Sequence, residues 1–341
     1  MASKRTEFVR RRAALGFTQE SLAEHVGVDR STIARWEGGK GDPRPSQRPV
    51  LAEALQVSLA ELQRLLDMLS VDQPTAGGGT GRYPRRVDLG TVGMLRTAHL
   101  GLVDRYDQMP SASLLAEAGQ QLTDFTRLAA SAPASRVQRE LLTLQAESAT
   151  LMGQLVWDAS QRRDHLTARR YYGQAVDLAR QLRNPTLEGY ALLRTAYVAL
   201  YGTRDPVAGL ELSSLAARTA SVTSPALTGM ALLHVGEAQA MLGQPVECER
   251  TLARAEVLLA EVDPADAAAN LLSPGQFGRL AGSCYLELGD YRRAQQILEA
   301  TADELASSRK LRPLVLGNLS LSFIRQREID AAIETLTRIR R

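Results

Sequence analysis

Four polar side chains lie within six residues of one another in a short predicted helix. A guanidinium can donate two parallel hydrogen bonds to guanine, and a hydroxyl can bond to the edge of any base. Side chains at the beginning of a helix reach base edges when that helix enters a DNA major groove. The chemistry that these residue types suggest is therefore the reading of bases. The candidate base-contacting residues are Arg30, Ser31, Thr32 and Arg35.

The segment around them predicts two short helices joined by a tight turn. Thr18 is expected to cap the first helix and Asp29 the second, while Gly27 occupies a turn position that needs a left-handed backbone. Apolar anchors recur at helical spacing, which is typical of two helices packed on one core. Together these features predict a helix-turn-helix. The anchors are Leu22, Val26, Ile33 and Trp36.

The pattern TQxxLAxxxGVxxSTIxxWExG is matched from Thr18 through Gly38, its final glycine falling on Gly39, with Asp29 where serine is commoner. The segment resembles the Cro/C1-type (XRE) DNA-binding domain, which implies that the second helix reads the major groove. The resemblance implies that Gln19 contacts phosphate or braces the reading helix. An ion pair of Arg35 with Glu37 or Asp29 is the alternative to its base contact. Weaker phosphate candidates are Thr18, Lys40 and Arg44.

The excess positive charge is confined to the N-terminal part of the chain. Residues 1–90 carry 14 Lys and Arg against 11 Asp and Glu, whereas residues 91–341 are balanced. This sign favours contact with phosphates. The run Arg10–Arg12 has two interpretations, a solvated helix face or phosphate contact. Five helices are expected in residues 1–70, the fourth capped by Ser46 and the fifth by Ser58.

Residues 71–91 predict a flexible linker, because GGG with nearby Pro, Thr and Asp cannot bury apolar surface. Residues 92–341 are predicted to be helical throughout, irregular to about 145 and then built of five helical hairpins. Small residues twelve apart allow the two helices of a hairpin to approach closely, and Gly153 with Ala168 fits as an earlier copy with an insertion. The twelve-residue pairs are Ala196/Ala208, Gly236/Cys248, Gly282/Ala294 and Ser320/Ala332.

These hairpins resemble tetratricopeptide repeats (TPR), so the expected fold is all-α, a five-helix head followed by a TPR-like right-handed α-solenoid. The combination is similar to actinomycete regulators with both parts and, in layout, to RRNPP regulators. It implies a transcriptional regulator that binds a pseudopalindromic DNA operator as a homodimer and senses a peptide or small molecule. The candidate ligand residues on the concave face are Gln154, Trp157, Asp158, Tyr197, Tyr201, Glu237, Met241 and Arg279.

Other function classes have weaker support in the sequence. Asp158, Asp164 and His165 could be read as metal ligands or an acid–base set, but their spacing fits no metal template and no nucleophile accompanies them. No cofactor or enzymatic activity is therefore expected, and the lone cysteines and histidines are interpreted as structural. Without an apolar run of membrane length or a signal peptide, a cytoplasmic, nucleoid-associated location is expected. The alternative function is a scaffold whose solenoid binds a protein or peptide partner, with little specific DNA binding.

Overall fold

The computed structural model describes residues 5–67, 87–106, 108–308 and 311–339. These ranges contain no β-strand, which confirms the all-α prediction. None of their helices is both long and apolar enough to cross a membrane. By internal packing the chain divides into two compact units, Met1–Leu178 and Ala179–Arg341.

The first unit contains the head and the helices that follow it, and α9 extends just past its end. Its helices are α1 Thr6–Ala14, α2 Gln19–Val26, α3 Arg30–Glu37, α4 Arg48–Ala54, α5 Leu59–Asp67, α6 Leu89–Tyr106, α7 Ser111–Ser131, α8 Arg136–Ala159 and α9 His165–Leu182.

The core of the head forms where the anchors of α2 and α3 meet α4 and α5. Leu22 and Ile33 are fully buried, and Trp36 is 3% exposed. Gly27 ends α2 with φ +72°, the left-handed conformation that the sequence predicts. The angle between α2 and α3 is therefore fixed by residues that lie close together in the sequence.

Arg5, just before α1, links several parts of the head, and the sequence analysis did not identify it. Arg5 is 6% exposed, and its guanidinium donates hydrogen bonds to the carbonyls of Trp36 and Leu66. It also pairs with Asp42. One arginine thus ties together the end of α3, the loop after it and α5.

Two predicted helix caps are not formed. Asp29 has the extended backbone of an N-cap, yet its side chain accepts no bond from α3, because the Thr32 N–H donates to the Asp29 carbonyl instead. α4 begins two residues after Ser46, with Gln47 at the N-cap and no side-chain cap. The cap at Ser58 is present, since its hydroxyl accepts from the Glu61 N–H at 3.1 Å.

The rest of the first unit is more regular than the sequence suggests. Most of the predicted linker, residues 71–91, lies outside the described residues, but its last three belong to α6. The Asp88 carboxylate accepts from the Thr91 N–H at 2.7 Å and so starts α6 earlier than the first apolar anchor indicates. α6, α7 and α8 then replace the irregular region expected up to about 145.

The predicted early repeat is present as the approach of α8 to α9. A Cβ on Gly153 would lie 2.5 Å from the Tyr172 ring, and Ala168 is fully buried. Glycine is therefore required at position 153 for the two helices to pack.

The second unit continues with four antiparallel hairpins, and this arrangement confirms the TPR-like fold. Small residues create the close approaches: a Cβ on Gly282 would lie 2.6 Å from Leu298, and one on Gly236 would lie 3.1 Å from Leu252. The helices are α10 Pro185–Tyr197, α11 Pro206–Ala220, α12 Pro225–Met241, α13 Pro245–Ala260, α14 Gln276–Leu288, α15 Tyr291–Glu304, α16 Arg312–Gln326 and α17 Ile329–Ile339.

One hairpin departs from the predicted register. The predicted pair Ala196/Ala208 is only half realised, because Ala196 is buried and Ala208 is half-exposed. A π-helical turn, Val198–Thr203, follows α10 and shifts the chain. The close approach passes to Gly209, where any Cβ would overlap Leu200.

Candidate DNA-binding surface

The α3 helix has two distinct faces. Ile33 and Trp36 point into the core, whereas Arg30, Ser31 and Arg35 are exposed. Thr32 is half-buried between these faces. The structure thus brings the predicted base-contacting residues onto one surface, with Thr32 at its edge.

The loop after α3 adds two exposed cations. The Lys40 N–H donates to the Arg35 carbonyl at 2.9 Å, so the loop turns back along the helix end. Gly41 lies beside the Arg35 guanidinium, and a Cβ there would be 3.5 Å from it. Arg44 is exposed and bonds through its backbone N–H to Gln47. Lys40 therefore lies next to α3.

The lysines and arginines of the head whose side chains the structure describes divide into two groups by their bonding. One group makes side-chain hydrogen bonds inside the fold and comprises Arg5, Arg11, Arg12 and Arg48. The other group makes no side-chain hydrogen bond or ion pair with any described residue. It comprises Arg30, Arg35, Lys40 and Arg44, the four cations predicted to contact DNA.

Gln19 braces the end of α3. Its amide donates to the Glu37 carboxylate at the end of α3, and the other oxygen of that carboxylate accepts from the Arg12 Nε at 2.5 Å. Glu37 is only 5% exposed. Of the two alternative partners of Arg35, Glu37 is thus occupied by other groups, and the described residues show no ion pair of Arg35 with Asp29. Arg35 is left facing solvent.

Neither interpretation of the run Arg10–Arg12 holds for its last two residues. Arg11 donates to the carbonyls of Leu55 and Gln56 at the end of α4, both at 2.8 Å. Arg12 pairs with Glu37. These side chains are neither a solvated face nor free phosphate ligands, because their guanidinium groups are bonded to groups within the head. The Arg10 side chain is outside the described set.

Thr18 also has a structural role. Its hydroxyl oxygen accepts from the Ser21 N–H at 3.0 Å, and the Ser21 hydroxyl accepts from the Thr18 N–H at 2.9 Å. This reciprocal pair forms a capping box at the beginning of α2. Thr18 is exposed, so a phosphate contact is still sterically open to it.

Three predicted ligand residues belong to the first unit, on α8. Gln154 and Trp157 are buried, and the Arg162 guanidinium lies 5.2 Å from the Trp157 ring centre. Asp158 accepts a hydrogen bond from the Tyr106 hydroxyl. These contacts are internal to the unit and leave Trp157 Nε1 as a buried donor without a partner among the described residues.

The second unit brings three other ligand candidates together. The Tyr201 hydroxyl bonds to the Glu237 carboxylate and lies 2.9 Å from His234 Nδ1, and the Tyr197 ring is 4.4 Å from the His234 ring. Burial raises the pKa of Tyr197 to about 12, and burial together with the Glu237 carboxylate raises the pKa of Tyr201. The polar groups of the cluster bond to one another. Arg279 lies near enough to lower both tyrosine pKa values slightly, and Met241 is half-buried.

The acidic and imidazole groups after α8 form local turns. Asp164 caps α9 by accepting from the Thr167 N–H at 3.0 Å, and His165 Nε2 lies 2.7 Å from the Arg162 carbonyl. Both contacts are explained by the loop itself, and they do not assemble Asp158, Asp164 and His165 around a common point.

Two features of the second unit were missed by the sequence reading. A cleft of about 510 Å³ opens where α13, α14 and α15 meet, and Phe277, Ile297 and Glu304 are among its lining residues. The last hairpin carries a stripe of exposed large apolar residues. We call this the α16–α17 stripe; its members are Leu321, Ile324, Ile329, Ile333 and Leu336. Helical spacing predicts such faces to be buried, so only the structure reveals that they are uncovered.

Comparison with known proteins supports the reading of the head. The family model of the helix-turn-helix HTH_3 matches residues 10–62. No curated protein matches significantly. Among solved structures, PlcR of Bacillus thuringiensis in complex with the peptide PapR7 and DNA is similar at 13% identity and a TM-score of 0.38. The similarity covers 90% of this chain and 95% of that one. Residues 10–62 therefore form an XRE-type helix-turn-helix, and this match supports a DNA-binding transcription regulator.

Proposed function

We propose that the protein binds a specific DNA operator by inserting the first turn of α3 into the major groove. The observation that carries the proposal is the exposure of Arg30, Ser31 and Arg35 on the helix face opposite the buried Ile33 and Trp36. Because the two arginines have no partner among the described residues, a bidentate contact to guanine would break no bond of the fold.

The surrounding residues support this reading geometry. Glu37 anchors the end of α3 through Arg12 and Gln19, so the helix enters the groove in a fixed orientation. Lys40, in the loop beside α3, is then positioned for the phosphate backbone. Phosphate contacts position a protein on DNA, while base contacts specify the sequence.

Selection of bound genomic fragments followed by gel shifts tests the proposal. Arg30→Ala and Arg35→Ala should each weaken binding to the selected fragments while retaining the wild-type melting temperature. Arg218→Ala is the matched control, because Arg218 is an exposed arginine on α11 in the second unit. Equal binding of both α3 variants to the same fragments would show that another surface reads the DNA.

We further propose that the protein is a homodimer joined through the α16–α17 stripe, which suits a pseudopalindromic operator. Ile329, Ile333 and Leu336 are 53%, 56% and 45% exposed and fall on one side of α17. Ile333→Glu should therefore yield monomers in analytical ultracentrifugation. Val257→Glu, at an apolar residue of α13 that is even more exposed (76%), should leave the dimer intact.

The cleft beside α14 is our candidate effector site. Its volume of about 510 Å³ falls in the range of small-molecule sites, and its walls are mainly apolar. If cell extract changes the affinity of the wild-type protein for its operator, the same extract should not change the affinity of the Phe277→Ala variant. A loss with Tyr197→Phe instead would favour the concave-face residues of the sequence prediction.

The scaffold function remains the second candidate, because the α16–α17 stripe could equally bind another protein. A stoichiometric partner captured by the full chain, released by Ile333→Glu and found without any specific operator, would favour it. A stable homodimer that binds selected fragments would exclude it.

A further inference from the structure

The head rests on a surface formed by α7 and α9, which we call the seat. The flexible linker predicted from the sequence suggests an untethered head, so this docking was not expected. The residues that form it are Pro45, Arg48, Glu53 and Gln63 in the head and Gly119, Thr123, Arg170 and Tyr171 in the seat.

The centre of the seat is built around Pro45. Its ring lies against the backbone of Gly119 so closely that any Cβ at position 119 would overlap it. The Tyr171 hydroxyl donates to the Pro45 carbonyl at 2.6 Å. Tyr171 is 2% exposed, and burial raises its pKa, so the hydroxyl keeps its proton at neutral pH. Shape and hydrogen bonding therefore select one placement of this loop.

Arg48 extends the contact from α4 to α7. Its guanidinium donates to Gln63 Oε1 at 2.9 Å, within the head, and to the Thr123 hydroxyl of the seat. Thr123 in turn donates to the Gly119 carbonyl at 2.8 Å. The contact is thus directional as well as apolar. The peripheral pair of Arg170 with Glu53 adds less, because Glu53 is 60% exposed.

The seat is packed less completely than a core. A cavity of about 30 Å³ lies within it, and Gln174, on its wall, has a buried Oε1 without a partner among the described residues. Buried polar atoms without partners are rare inside a single core, whereas contacts between domains are more polar and separable. The head therefore meets α7 and α9 through a polar contact that is less completely packed than its own core.

The seat engages the α4–α5 side of the head, and the exposed arginines of α3 take no part in it. We infer that the seat fixes the orientation of the reading helix, and that Pro45, Gly119, Thr123 and Tyr171 are positioning residues for DNA recognition. This inference rests on the proposed function. A head held in one orientation does not lose orientational freedom on binding, so preorganisation raises affinity without adding a contact to DNA.

Electron–electron distance measurement between two nitroxide labels tests the seat directly. Full-length protein is labelled at Glu24→Cys on α2 and Ala130→Cys on α7, both exposed, after Cys248 and Cys284 are replaced by alanine. Gly119→Val should broaden the distance distribution at least twofold, and Tyr171→Phe should broaden it less. Gly101→Val is the control, because a side chain there meets nothing within 4 Å.

The affinity of the same variants for a selected DNA fragment tests the positioning role. Gly119→Val should raise Kd about tenfold through lost preorganisation, and Gly101→Val should leave it unchanged. A broad wild-type distribution, or a narrow one in both seat variants, would overturn the seat. A broadened distribution with unchanged Kd would overturn positioning. If wild-type protein selects no fragment, the proposed function fails and positioning falls with it, while the distances still report on the seat.

Discussion

The helices α1 and α3 both carry arginines, but they use them in opposite ways. Arg11 and Arg12 of α1 donate to carbonyls at the end of α4 and to Glu37, whereas Arg30 and Arg35 of α3 have no bonding partner among the described residues. The comparison teaches that a basic run does not by itself identify a nucleic-acid surface. What distinguishes the recognition surface is positive charge that the fold leaves unused.

The largest expected effect is on the α1 side of this comparison. Glu37→Ala leaves Arg12 without its partner at a site where the two side chains are 7% and 12% exposed. Removing one partner of such a buried pair should destabilise the head by about 3 kcal/mol. Native-state amide hydrogen exchange of α2 and α3 measures this free energy. Glu20→Ala, an exposed carboxylate on α2, is the control; a cost below about 1 kcal/mol would mean that the pair does not hold α3.

The α3 side should respond in the complementary way. Arg30→Ala or Arg35→Ala should reduce discrimination between operator and altered sequence by about 1–3 kcal/mol. Amide exchange in α2 and α3 should stay at wild-type values, because neither guanidinium bonds to a described residue. Competition binding with base-substituted fragments provides the measurement. Faster exchange together with unchanged discrimination would reverse the roles of the two helices.

The salt dependence of DNA binding should show a smaller difference between the two helices. Lys40→Ala should reduce the slope of log Kobs against log salt by about 1, since one phosphate contact is lost. Arg11→Ala removes the same charge but should leave that slope unchanged, because its guanidinium bonds to carbonyls. Titrations at several salt concentrations distinguish them. Equal changes of slope in both variants would place α1 at the DNA backbone.

Acid should act on the body of the first unit through His99. Burial chiefly, and then the charge of Arg96, lowers the pKa of His99 below 6.5, although a bond to Gln121 opposes this. The unfolded chain therefore binds the proton of His99 more readily than the folded chain does. The contribution of His99 to the free energy of unfolding is fully present above pH 6.5 and falls as the pH drops below it. His99→Gln should remove this loss in urea unfolding across that range. If the variant loses stability in acid as the wild-type protein does, another titrating group causes the loss.

The parts of the fold that follow local steric rules could be predicted from the sequence. Gly27 and the anchors Leu22 and Ile33 lie within one short segment, so their spacing suffices to predict the turn and the core. The ion pair of Arg12 with Glu37 could not be predicted, because Glu37 is 25 residues away in the sequence. A solvated helix face or a phosphate contact fits the local pattern equally well. The repeat register failed at Ala208 because a π-helical turn leaves no signal in the spacing of small residues.

The candidate site shows the same division. Exposure of Arg30 and Arg35 follows from helical periodicity, whereas the bracing role of Gln19 depends on Glu37, which belongs to a different helix. The closed cluster around Tyr201 could not be foreseen either. Its sequence position indicates a helix face, but only packing reveals that His234 and Glu237 already satisfy its hydroxyl.

Protection of guanine N7 from dimethyl sulfate on a selected operator tests the central claim most directly, since N7 lies in the major groove. Wild-type protein should protect guanines in each half-site, and Arg30→Ala or Arg35→Ala should restore methylation at one guanine per half-site while the others stay protected. No N7 protection by wild-type protein, or an identical pattern with both variants, would contradict the account.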